Sequence, residues 1–188
     1  MKKVLITGGA GFVGTALIKK LLRKYKNIQI VSIDNYSSGY ESNHIKSKRV
    51  TYLNKDTQTL IPQKFDTNNT KSDIADTFEP DVVFHFGEFS RIVTSFDAFD
   101  NCWDYNMQGT KMVLDYCVAK KAKLIYSASS SKFGNDGKDE NLSPYAWMKA
   151  KMVELINNYA DWFDLKFEIT YFYNAYGPGQ VRTGDYAT

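Results

Sequence analysis

Tyr145 and Lys149 stand four residues apart in Tyr145-Ala146-Trp147-Met148-Lys149, a spacing that puts a phenol and an ammonium on one helix face. A phenol ordinarily ionises near pH 10, about three units too high for a base at neutral pH. A neighbouring cation favours the phenolate. Such a pair could take a proton from an alcohol. Alone it says little, because the spacing arises by chance and usually marks a solvated face. The hydroxyls of Ser129-Ser130-Ser131, just past an apolar run, could hydrogen-bond a substrate oxygen, and they read equally as a serine-rich loop.

A second chemical feature opens the chain. Thr7-Gly8-Gly9-Ala10-Gly11-Phe12-Val13-Gly14 follows an apolar strand (residues 3–6) and leads into an amphipathic helix (12–24) with Phe12, Val13, Leu17, Ile18, Leu21 and Leu22 facing inward. Gly8, Gly11 and Gly14 differ by one spacing from the G-x-G-x-x-G dinucleotide signature, and the physics is similar. Backbone free of Cβ atoms can close on a pyrophosphate, and the helix N-terminus faces it with unpaired N–H groups. Asp34 ends the next strand (28–34), about 20 residues past the glycines, where a ribose diol would be held. Its carboxylate would accept hydrogen bonds from a 2′-hydroxyl and repel a 2′-phosphate, which favours NAD over NADP. A plain turn at Asp34-Asn35 is the competing reading.

The elements that must position these groups alternate. Strands are expected over residues 49–54, 81–86, 122–127 and 165–173. Helices are expected over about 71–78, 97–120 and 143–163, and a loop over 135–141. The pattern predicts an α/β fold, a doubly wound parallel sheet with ligand at the carboxyl ends of the strands. Asp56, just past the third strand, reads either as an adenine contact or as a cap. His85 reads as a hydrogen-bonded core histidine, and Gly87 as a residue that lets a cofactor approach. Gly109 suggests close packing within its helix.

Of 188 residues 43% are hydrophobic and 24% charged, the balance of one globular domain. A net charge of +3, with dispersed lysines, gives no case for nucleic acid. No apolar run reaches membrane-spanning length, and the chain enters its first strand with no room for a signal peptide, so a cytoplasmic protein is expected. Cys102 and Cys117 have no metal-ligand spacing and read as reduced, half-buried helix residues; no metal site is expected.

Taken together, the chain resembles the extended short-chain dehydrogenases/reductases of the NAD-dependent epimerase/dehydratase family, the UDP-glucose 4-epimerase type above all. The resemblance rests on the glycine run, Asp34-Asn35, His85-Phe86-Gly87-Glu88, Tyr105-Asn106-Met107-Gln108-Gly109-Thr110, the stretch 127–134, Tyr145 to Lys149, and Tyr173-Asn174-Ala175-Tyr176-Gly177-Pro178. It implies a Rossmann fold with NAD held by Gly8, Gly11, Phe12, Val13, Gly14, Asp34, Asn35, Asp56, Gly87, Asn106, Tyr145 and Lys149. Tyr145 would be the base, Lys149 its electrostatic partner and ribose ligand, and Ser129 the hydroxyl on the sugar 4-oxygen. Asn106 would hold the geometry of its helix, and Asn174 would meet the phosphates of a nucleotide sugar. The reaction implied is transient oxidation at C4 of a UDP-hexose, in a homodimer formed through the helices near 97–120 and 145–163.

Several positions depart from the family pattern. Ser129-Ser130-Ser131 replaces the Thr-Asp-Glu of the dehydratases, which argues against water elimination. Phe133 replaces a common Tyr, and Lys132 an apolar residue. Glu88 and Phe89 stand where small residues are usual, altering the nicotinamide pocket. The segment before Tyr145 is short. Relatives also continue for well over a hundred residues into a C-terminal substrate domain largely absent here, so residues 1–188 are expected to form the NAD-binding domain. Two other readings stay open: a non-catalytic NAD-binding module, and a reductase or dehydrogenase that releases a stable product.

Overall fold

A computed structural model of the protein describes residues 2–60 and 74–180. Strands β1 (Lys2–Thr7), β2 (Ile28–Asp34), β3 (Val50–Asn54), β4 (Val82–His85), β5 (Lys123–Ser129) and β6 (Phe167–Phe172) form one sheet in the order β3-β2-β1-β4-β5-β6. All neighbouring pairs are parallel. The doubly wound sheet expected from the alternation is therefore present, with its reversal of strand order between β1 and β4. Register aligns the strand ends: Thr7 lies opposite both Ile33 and His85, and His85 opposite Tyr126. The residues one step further, Asp34, Gly8, Phe86 and Ser127, consequently edge a single crevice.

Alternation along β1 sends Leu5 to one face and Val4 and Ile6 to the other. Leu5 joins Val31, Ile33, Val83 and Leu124 beneath two helices, α4 (Thr110–Lys120) and α5 (Pro144–Phe163). Val4 and Ile6 join Ile28 and Ile30 against Ile18 of α1 (Phe12–Lys24), with Leu17, Leu21 and Leu22 partly buried beside them. Helix α5 starts sharply because Pro144 sits in its first turn and the Ser143 hydroxyl accepts from Ala146 N at 3.1 Å. Helices α1 and α5 match the sequence expectation closely.

Other elements differ. The helix expected over 97–120 begins at Phe99 and runs as α3 (Phe99–Trp103), a π-helical turn (Asp104–Gly109) and α4. Gly109 has a cause: a Cβ there would lie 2.4 Å from the Thr57 hydroxyl. The cysteines are fully buried rather than half-buried. Residues Gly134–Asn141, expected as a loop, wind into 3₁₀ turns. Of the helix expected over 71–78, α2 (Ile74–Thr77) is described and residues 71–73 lie outside the described set. Strand β6 stops at Phe172, leaving Tyr173 exposed. Among the described residues no helix is long and apolar enough to cross a membrane.

Tyr116 ties α4 to the chain entering β4. Its buried hydroxyl donates toward Ala75 O at 2.7 Å and Phe78 O at 3.0 Å. Tyr116→Phe should lower unfolding free energy by about 1 kcal/mol, the net contribution of a lost hydrogen bond. A urea midpoint that moves left at constant slope would show it.

Candidate active site

One cleft of about 1040 Å³ runs along the carboxyl ends of the strands. Its lining includes Gly8, Gly11, Phe12, Val13, Gly14, Asp34, Asn35, Gly87, Ser129, Tyr145, Lys149 and Asn174, so most of the site residues read from the sequence meet in one place. Two do not line it. Asp56 accepts the Asn35 side-chain amide at 2.6 Å and so stands behind Asn35. Asn106 is fully buried, and its side chain grips the Phe89 backbone, accepting from Phe89 N at 2.6 Å and donating to Phe89 O at 3.0 Å. Both hold wall residues of the cleft.

The glycine run is a tight cradle. Gly8 has φ +71°, and a Cβ there would lie 2.7 Å from Gly87 N. A Cβ at Gly14 would lie 2.2 Å from Gly8 O. At Gly11 the nearest such atom is Gly8 O at 3.2 Å. Helix α1 has no side-chain cap, which leaves its first N–H groups for an anion. The Asp34 carboxylate is buried and accepts from Ala10 N and Tyr36 N, both at 2.9 Å. A Cβ-free cradle, an uncapped helix N-terminus and an acid at the next strand end fit the diphosphate and ribose of NAD.

At the other end of the cleft Ser129 Oγ accepts from Ser131 N at 3.2 Å and from the Ser131 hydroxyl at 2.9 Å. Its own proton is thereby kept for a further acceptor. Tyr145 N donates to Ser95 Oγ at 3.3 Å, which fixes the first turn of α5 against the loop after β4. Lys149 is almost fully buried. It is ion-paired with Glu88, donates to Ser127 O, and places its ammonium 4.4 Å from the centre of the Tyr126 ring.

Behind the cleft lies a relay the sequence did not reveal. Thr7 Oγ1 accepts from Phe86 N and Gly87 N, at 3.2 and 2.9 Å, so its proton goes to His85 Nδ1 at 2.6 Å. His85 Nε2 then carries the ring proton and donates to Thr110 Oγ1 at 2.9 Å, and the Thr110 hydroxyl donates to Glu88 Oε1 at 3.0 Å. His85 is thus the core histidine expected from its strand, with a tautomer set by its partners. Burial also pushes the Cys102 thiol up to about 11, with the Glu88 carboxylate adding to the shift, so this cysteine is no thiolate nucleophile. Thr7, at the end of an apolar strand, and Thr110, directly after Gly109, were the only signals of this network. Lys55, Thr57 and Arg91 also line the cleft and were not singled out.

Burial lowers the His85 pKa from 6.5 to about 4, with Glu88 opposing and Lys149 assisting. Between those values the unfolded chain binds the proton and the folded chain does not. Stability from this group is therefore present above the unfolded value and lost as pH falls, by roughly 3 kcal/mol across the window. Urea unfolding between about pH 7 and pH 4 should show this loss, and His85→Gln should remove most of that pH dependence.

The NAD dependent epimerase/dehydratase family matches residues 4–187. A dTDP-D-glucose 4,6-dehydratase of Dictyostelium discoideum is 28% identical over 202 residues, covering 96% of this chain and 45% of its own length. An uncharacterized UDP-glucose epimerase of Bacillus subtilis is 29% identical over 192 residues, covering 95% of this chain and 58% of its own. The chain thus spans about half the length of these relatives. Among solved structures, a UDP-N-acetylglucosamine 4-epimerase from Methanobrevibacter ruminantium superposes with a TM-score of 0.82 at 23% identity, over 100% of this chain and 59% of that one. A UDP-glucose 4-epimerase from Thermotoga maritima gives 0.82 at 22% identity, over 98% and 60%. The match over almost every residue, on a Rossmann sheet with this glycine cradle, makes the chain a member of the NAD-dependent epimerase/dehydratase family.

Proposed function

We propose that the chain is the cofactor-binding and proton-transfer part of an NAD-dependent nucleotide-sugar epimerase, acting on a UDP-hexose by transient oxidation at the sugar C4. The observation that carries this reading is convergence: Ser129, Tyr145 and Lys149 share one cleft with the glycine cradle and Asp34. The chemistry NAD supplies when bound is reversible acceptance of a hydride. The N-terminus of α1 holds the diphosphate through Gly11, Phe12, Val13 and Gly14, and Asp34 and Asn35 hold the adenosine ribose. Asp56 acts through Asn35, and Asn106 through Phe89. Gly8 and Gly87 keep the floor low. Lys149 holds the nicotinamide ribose.

Tyr145 takes the proton of the sugar 4-hydroxyl and returns it to the 4-oxygen once the 4-keto sugar has turned over and C4 has been reduced on its other face. Ser129, whose oxygen already accepts from Ser131, donates its own proton to the 4-oxygen. Asn174 meets the phosphates of the nucleotide sugar. Ser130 and Ser131 offer only hydroxyls where water elimination needs an acid and a base, which favours epimerisation over dehydration. Exposed Phe99 and Trp103 favour a homodimer through the α3 face.

A non-catalytic NAD-binding module is the second reading. It is favoured by the closure of Lys149 onto Glu88 and by the chain's covering about half of its relatives.

Two measurements separate them. Incubation with NAD and either UDP-galactose or UDP-N-acetyl sugars should interconvert the C4 epimers. Tyr145→Phe should cut that turnover by at least ~100-fold with NAD affinity little changed. Retained NAD binding without turnover would leave the module reading standing. Gly14→Ala should weaken NAD binding about tenfold or more by calorimetry, since the new Cβ would lie 2.2 Å from Gly8 O and force α1 away from the cradle.

A further inference from the structure

Glu88 follows Gly87 on the turn that leaves β4, at a position where a carboxylate is costly to bury. Its side chain is 3% exposed and that of Lys149 5% exposed, yet both line the cleft. Burial at this level demands a full set of donors. Glu88 has one: the Lys149 ammonium on Oε2, and the Thr110 and Tyr126 hydroxyls on Oε1, each at 3.0 Å. The Ser127 hydroxyl lies a further 3.3 Å from Oε2. The arrangement is a built site for a charged pair.

The pairing constrains Lys149 as well. Of its three N–H groups, one goes to Glu88 and one to Ser127 O, which leaves one for the cleft. Its positive charge is offset at hydrogen-bonding distance by Glu88.

We propose that Glu88 is a positioning residue of the NAD site, which holds the Lys149 ammonium against β5 and cancels its charge. Oxidised NAD, with its cationic ring, and reduced NAD, with a neutral ring, then bind with comparable affinity. This rests on the reading of Lys149 as the ligand of the nicotinamide ribose. A lysine without its counter-charge would repel the cationic ring and leave the neutral one untouched. One unit charge at ~10 Å with an effective dielectric of ~20 changes an equilibrium roughly tenfold. Balanced affinities suit a site that must give back the hydride it receives, because neither cofactor state becomes a trap.

The test is the ratio of dissociation constants, Kd for NAD⁺ over Kd for NADH, by calorimetry on the chain and its variants. Glu88→Gln keeps the shape, and the hydroxyls of Thr110 and Tyr126 can rotate to accept from the new amide. It should raise the ratio about tenfold. Lys149→Met loses a ribose contact common to both cofactor states, so the contact cancels and the ratio stays at or below the wild-type value. The double variant, again without net charge, should return to within about threefold of wild type. The charge of Arg91, which also lines the cleft, is common to all four proteins.

A Glu88→Gln ratio within about threefold of wild type overturns the proposal. So does a tenfold rise in Lys149→Met or in the double variant, since then the ratio follows damage to the fold and not charge. Should Glu88→Gln fail to fold, Glu88→Asn, equally neutral and smaller, takes its place with the same expected tenfold rise, and a ratio within about threefold of wild type overturns the proposal. A wild-type chain that binds neither form overturns the NAD reading itself, a result unlike any change of ratio.

Discussion

The structure turns on how closely β1 and β4 come together where they end. Gly8 and Gly87 pack backbone against backbone with no space for a Cβ at Gly8, and Gly14 brings α1 down onto the same turn. The Thr7 hydroxyl sits in the seam and accepts from the two amides that follow β4. Everything above the sheet depends on this closure. It sets the depth of the cleft, directs the N-terminus of α1, and decides where the next residue of the β4 turn, Glu88, must lie.

Charge in the site follows from that placement. Glu88 enters an interior that already holds Lys149 from α5 and Tyr126 from β5. Burial, with the Glu88 carboxylate second, raises the Tyr126 pKa well above its ordinary value, so this phenol stays a donor to Glu88. His85 is held neutral by burial and acts only as a link between Thr7 and Thr110. Fixed donors therefore surround one carboxylate and one ammonium, and the hydroxyls of Tyr145 and Ser129 line the cleft beside them.

Much of this was legible from residue order. Strands with apolar runs, glycines between β1 and α1, and an acid closing β2 all act locally, so their types and spacing carry the information. Ser143-Pro144 announces α5 for the same reason. The π-helical turn was not legible, and the packing that demands glycine at 109 is against Thr57, far away in the chain. Asp56 was read as an adenine contact or a cap and Asn106 as holding the geometry of its helix, and their side chains hold Asn35 and Phe89. Pairing patterns reveal that a polar group has a task and leave open which side of the wall it works from. Glu88 stood out only as an unusual residue, since its partners come from α4, β5 and α5.

The π-helical turn also governs how the site is aimed. Residues four apart in an α-helix drift by about 40° around its axis. Across the wider turn over Asp104–Gly109, Asn106 and Thr110 both face the turn that follows β4. Asn106 donates to Cys102 Sγ at 3.6 Å below and clasps Phe89, while Thr110 reaches Glu88 one step along. Successive rungs of the helix thus hold successive residues of the loop, much as a strand would. The loop after β4 takes its shape from the phase of a helix, and a single insertion or deletion between 106 and 109 would re-aim the cleft wall without touching a residue that lines it.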